Sequence, residues 1–145
     1  MCAGIEFEGQ FFYFKDTVQL PVLRRDGSMA WLPWGVPFGV NVPGLWSGAC
    51  ARRESLLDGK WRRLDPVPVK IPCAAFMERD ARKQAVWFPV DARLAIQGAL
   101  VRLSPQQRAL LPGQPEAVVY VVTEPAAGDV ASIHDRMPRL IPLGD

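Results

Sequence analysis

A cysteine at position 2, a glutamate at position 78 and a single histidine at position 134 are the residues of this chain best suited to chemistry. Cys2 directly follows Met1, and a small second residue is the usual signal for removal of an initiator methionine. Removal would leave an α-amine and a thiol on one carbon skeleton. The amine titrates just above neutral pH and a thiol slightly higher, so both nucleophiles are accessible near neutrality. Such a vicinal aminothiol condenses with an aldehyde: the nitrogen forms an imine, and the sulfur then closes a five-membered thiazolidine ring. A small residue at position 2 is also common without any such consequence.

His134 stands in "IHDRMPRLIP", beside Asp135 and Arg136. Imidazole is the side chain best matched to proton transfer near neutrality, although a lone histidine also serves as a plain structural hydrogen bonder. Glu78 ends the apolar run "VKIPCAAFME". Sheltered by Phe76 and Met77, its carboxyl would titrate high and act as an acid; at a solvated strand end it would do neither. Cys2, Cys50 and Cys73 are odd in number and widely spaced, which is no disulfide framework. The absence of a close Cys-x-x-Cys pair argues against a structural metal, and no cofactor is implied.

The elements that must position these residues are mostly strands, because fourteen prolines and twelve glycines punctuate short apolar segments. Strands are expected at 4–8, 11–14, 18–23, 29–34, 69–78, 85–90, 96–103, 117–123 and 139–141. The clearest is "AVVYVVT", whose continuous β-branched run suits a strand covered on both faces. Helices are expected at 51–61, from Pro105 after an N-cap at Ser104, and as a short turn over 129–135 capped by Asp129. The sum is an α+β fold: one mostly β domain spanning residues 1–145, its mixed and antiparallel sheets forming a barrel-like core with a few short helices.

Composition fits that reading. Hydrophobic residues make up 49% and charged residues 22% of the 145, ordinary for a globular chain. Apolar runs stop well short of the roughly 18 residues a spanning helix needs, and "MCAGIEFEGQ" lacks the build of a signal peptide, so a cytoplasmic protein is expected. A net charge of +2 is far from that of a dedicated nucleic-acid binder. The arginines nevertheless cluster, as at Arg24 and Arg25, Arg52 and Arg53, Arg62 and Arg63, and Arg136 and Arg139. Such pairs are either solvated loop charges or a local phosphate-holding groove.

Read together, several stretches resemble one family. "MC", "PWGVP" at 33–37, "ARRE" at 51–54, "PCAAFMER" at 72–79, "VVTEPA" at 121–126 and "IHDRMP" at 133–138 follow the motif order of the SRAP family. These are the SOS-response-associated peptidases, also known as abasic-site crosslinking proteins. The resemblance implies removal of Met1 and a thiazolidine link from Cys2 to an abasic site in single-stranded DNA, with Cys2, Glu78 and His134 as the catalytic set. It also implies DNA contacts by Trp34, Arg52 and Arg136, and a fold that carries the C-terminal histidine back to the N-terminal cysteine. A self-processing thiol hydrolase and a noncatalytic relative keeping only the fold are the other functions such a sequence allows.

The chain departs from the family pattern at three places. "MCGR" reads "MCAG" here, "GFYEW" reads "AAFMER", and the asparagine of "NAR" is replaced by Cys50. The last substitution puts a weak thiol partner where an amide can both donate and accept. The resemblance implies that the matching asparagine is part of the active site, so Cys50 is expected near the Cys2 thiol; the two thiols could form a disulfide under oxidising conditions if their Cα atoms fall within about 7 Å.

Overall fold

The computed structural model describes residues 2–144. Four antiparallel strands form the first sheet: β1 (Gly4–Phe7), β2 (Gln10–Tyr13), β7 (Ala75–Arg79) and β8 (Ala85–Pro89), in the order β2-β1-β7-β8. The β1 to β2 hairpin turns on Glu8 and Gly9 alone, both at positive φ. A two-residue turn of this hand matches the twist of the flanking strands, and glycine adopts the second position without steric cost.

The second sheet runs β11-β10-β9-β6-β3-β4, built from β3 (Gln19–Leu23), β4 (Met29–Pro33), β6 (Val67–Ile71), β9 (Leu94–Arg102), β10 (Ala117–Pro125) and β11 (Arg136–Pro138). β12 (Leu140–Pro142) adds to one end of β9, and β5 (Cys50–Arg52) runs parallel to β10. Three short α-helices, α1 (Arg53–Leu57), α2 (Pro105–Ala109) and α3 (Gly128–Ala131), and two 3-10 turns, Phe14–Asp16 and Arg62–Leu64, complete the elements of the described chain. None is long and apolar enough to cross a membrane.

β10 separates two apolar clusters. Val119 and Val121 face Ile5, Leu20, Phe76 and Ile96, while Val118, Tyr120 and Val122 face Trp61, Val101 and Leu111. Alternation along a strand sends successive side chains to opposite faces, so apolar residues on both faces mean cover on both sides. Each such side chain contributes about 1.5–3 kcal/mol on burial. Tyr120 is fully buried and donates its hydroxyl to the Trp46 carbonyl at 2.6 Å.

Four expectations need correction. The run 69–78 is not one strand: Pro72, which has no N–H to give a ladder, ends β6, and the chain crosses to the other sheet before β7 begins. Ala51 and Arg52 are not helical, because β10 recruits them into β5 and α1 starts only at Arg53. The turn after Gly128 is shorter than expected and has Ala127 at its N-cap with no side-chain bond, so Asp129 is not the cap. At Ser104 the full capping box forms, its hydroxyl accepting from the Gln107 amide while the Gln107 side chain reaches back.

The fourth correction concerns the barrel-like core. Among the described residues the ladders make two sheets and no closed barrel. β4 returns to β10 at a single parallel bridge, Trp34 to Val119, with the Gly35 amide donating to the Val119 carbonyl at 2.7 Å. β5 already occupies the next stretch of that edge, Val121 to Thr123, and leaves no room for a longer ladder.

Candidate active site around Cys2

Four segments remote in sequence meet at one end of the first sheet. β1 lies in register with β7, Gly4 opposite Met77, and the Ala3 amide continues the ladder by donating to the Met77 carbonyl at 3.3 Å. On its other side the Ala3 carbonyl accepts from the Phe14 amide at 3.1 Å. Cys2, next in the chain, is thereby held beside the end of β7 that carries Glu78.

Cys2 has no exposed surface, and its thiol points to the Gly4 carbonyl at 3.6 Å. Burial holds its pKa well above the usual thiol range, and the neighbouring Cys50 and Glu78 push the same way. Cys50 opens β5 opposite Val121 and is half-buried. Its thiol donates to the main-chain carbonyl of Cys2 at 3.8 Å, and burial pushes its pKa up to about 12. The third thiol, Cys73, lies where the chain crosses between sheets and is likewise raised to about 12 by burial.

Glu78 alternates with Met77 along β7 and so shares the inward face of Phe76. Its side chain is 0% exposed. Burial raises its pKa, because the charged form loses solvation that its neighbours only partly replace. His134 follows α3, and its Nδ1 lies 3.9 Å from Glu78 Oε1, within ion-pair range and longer than a hydrogen bond. The ring is 28% exposed, so it spans the distance between a buried carboxyl and solvent.

The amide of Arg136 donates to His134 Nδ1 at 3.0 Å. That bond assigns the neutral ring a proton on Nε2. When the ring is protonated, Nδ1 donates instead, with the Arg136 carbonyl at 3.1 Å and the Asp135 carboxylate at 3.3 Å in place to accept.

The arginines expected to hold DNA have different situations. Arg136 is largely buried, and its fork binds both carboxylate oxygens of Glu54, at 2.6 and 2.9 Å, as well as the Thr123 carbonyl and hydroxyl. Arg52 is 64% exposed and lies 3.6 Å from the same carboxylate. Trp34 is not a surface aromatic: it is 2% exposed, and its indole N–H is committed to the Ala49 carbonyl at 3.0 Å. Its ring packs against Phe14 in the core, which removes it as a stacking face for a base.

The sequence reading gave no role to Glu54, Thr123 or Asp135, although "ARRE" sets Glu54 two residues after Arg52. The pairing with Arg136 pulls the Glu54 carboxyl from its ordinary 4.5 down to about 2. A carboxylate lowered by folding stabilises the native state above its unfolded pKa and loses that contribution as pH falls through the folded one. Glu54→Gln is therefore expected to abolish the part of the acid destabilisation that falls between about pH 4.5 and 2. Thermal melts of both proteins across that range check it, and parallel curves would contradict it.

No group of three or more His, Cys, Asp or Glu is arranged to hold a metal among the described residues. No family model and no curated protein matches this sequence. Among solved structures the chain is similar to an X-ray crystal structure of a protein from Bacteroides thetaiotaomicron, with a TM-score of 0.68 and 12% identity. The alignment covers 96% of this chain and 65% of that one, so the chain shares the fold of that protein over less than two thirds of its length.

Proposed function

We propose that this is an SRAP-like protein that captures the aldehyde of an abasic site in single-stranded DNA through Cys2, after loss of Met1. The observation that carries the reading is a chain of neighbours drawn from segments up to 132 positions apart: the Cys50 thiol on the Cys2 carbonyl, Glu78 close enough for its charge to act on the buried Cys2 thiol, and His134 beside Glu78.

The chemistry assigns each group a task. The freed α-amine of Cys2 adds to the aldehyde carbon, and the resulting hydroxyl leaves as water to give an imine. The sulfur then adds to the imine carbon and its proton passes to the nitrogen, closing the ring; one water is released overall. Glu78, held protonated more readily by burial, supplies the proton that helps the sugar ring open and the hydroxyl depart. His134, reaching from Glu78 to solvent, returns protons to that carboxyl. The Cys2 thiol is too poor an acid to be a standing thiolate, so its proton leaves as the carbon–sulfur bond forms. Arg52, two residues along β5 from Cys50, is the exposed cation available to a phosphate.

Incubating the purified protein with single-stranded DNA containing one abasic site tests this. The expected product survives denaturation, lacks Met1, and has the summed mass of protein and DNA less one water. Loss of Met1 without any adduct would favour a self-processing thiol hydrolase. An intact Met1 with no adduct would leave a relative that keeps only the fold.

A further inference from the structure

We propose that Cys2 and Cys50 form a reversible disulfide that withdraws the Cys2 sulfur, so that this site is closed by peroxide and reopened by a thiol reductant. The functional consequence rests on the reading above; the bond itself does not, since it needs neither a free α-amine nor DNA.

Contact between the two residues is direct. The Cys50 thiol lies 3.8 Å from the carbonyl oxygen of Cys2 itself, across 48 positions of sequence, and each is a free thiol. Their backbones are fixed independently, Cys50 by β5 on β10 and Cys2 through Ala3 on β7. Such a pair loses little further freedom on bonding. Access is unequal: Cys50 is half-buried, while Cys2 has no exposed surface. A peroxide therefore meets Cys50 first.

The steps balance. The Cys50 sulfur attacks one oxygen of hydrogen peroxide, the O–O bond breaks, and the sulfenic acid and one water result. The Cys2 sulfur then displaces the hydroxyl from Cys50, forming the S–S bond and releasing the second water. Two thiols have lost two electrons and two protons, and peroxide has gained them. A dithiol reverses the reaction by exchange. Burial keeps both thiols protonated near neutral pH, so each sulfur sheds its proton as it attacks and the latch closes slowly, faster as pH rises.

The test is a non-reducing peptide map of the full chain after graded hydrogen peroxide, with sulfoxidation of half-exposed Met29 as an internal gauge of dose. The expected result is a Cys2–Cys50 linked peptide that grows with peroxide dose, forms faster as pH rises toward the raised thiol range, and vanishes with dithiothreitol. Its formation should persist in Cys73→Ser and be absent in Cys50→Ser. A link to Cys73, or only higher oxides at Cys50, or thiols unchanged at the highest dose and pH at which the protein stays folded, would overturn the latch using the parent protein alone. Adduct formation with abasic DNA, measured in parallel, should fall more than tenfold on oxidation and recover on reduction in the parent, while Cys50→Ser, whatever its own rate, shows no fall that a reductant reverses. A latch that forms in a protein never able to link DNA would overturn the functional reading and leave the sulfur chemistry standing.

Discussion

Cys2→Ala is expected to yield no denaturation-resistant adduct with abasic single-stranded DNA, and Glu78→Gln to slow its formation by about 10²- to 10⁴-fold, the usual worth of a positioned acid or base. The alanine variant keeps the α-amine, so it can still form an imine, but the ring cannot close without sulfur and the imine hydrolyses. An alanine variant that links DNA as well as the parent would move the chemistry to a lysine. Glutamine at 78 keeps the size and shape of the side chain and removes the proton. If protonated Glu78 is the acid, the parent's rate falls as pH rises through its raised titration, and the glutamine variant lacks that decline. Rate profiles of the two proteins, followed upward from the ordinary carboxyl range, test the assignment.

Stability should respond differently from rate. A carboxyl whose pKa is raised by folding is best tolerated when neutral, so its contribution is fully present below the unfolded pKa and is lost as pH rises through the folded one. Glu78→Gln should thus be no less stable than the parent at neutral pH. A variant slow only because it unfolds would show a lowered melting midpoint, which separates a catalytic loss from a structural one.

Gly35→Ala is expected to cost about 3 kcal/mol or more, combining an unfavourable backbone conformation with overpacking. Gly35 sits at φ +57°, and a Cβ there would lie 2.0 Å from the Gly48 carbonyl oxygen. That oxygen accepts from the Val36 amide, while the Gly35 amide holds Val119, so relieving the clash breaks the bridge that brings β4 onto β10. Gly39→Ala is the control. Its φ of +87° is also left-handed, yet its added Cβ meets nothing, so only the conformational cost of about 1–2 kcal/mol remains. Urea midpoints of the two variants measure the difference, and equal values would show that the 35–48 loop yields at no cost.

Local pattern was legible wherever neighbouring residues decide the outcome. "AVVYVVT" reads as a doubly covered strand because β-branched residues on both faces have nowhere else to go, and the whole of 117–123 is buried. Ser104, Pro105 and Gln107 specify their own helix start through bonds within four residues. Pro72 carried the signal that splits 69–78 between two sheets, since a missing N–H is visible in sequence. Ala51 and Arg52 carried no such signal: they are good helix formers, and only the distant edge of β10 makes them a strand.

The candidate site divides in the same way. Sequence by itself determined the inventory: a cysteine at position 2, one histidine, a glutamate in apolar company, and a thiol at position 50. These are properties of side-chain chemistry and of immediate neighbours. The family resemblance led to the expectation that Cys50 and His134 lie near Cys2; the tertiary structure supplied the contacts, with the Cys50 thiol 3.8 Å from the Cys2 carbonyl and His134 within 3.9 Å of Glu78, and it alone decided that Cys2 and Glu78 lose all contact with solvent. It also decided that Trp34 belongs to the core and that Arg136 is held by Glu54, 82 positions away. Burial and ion pairing depend on which remote strands become neighbours, and that depends on ladder hydrogen bonds and shared apolar faces that no local spacing encodes.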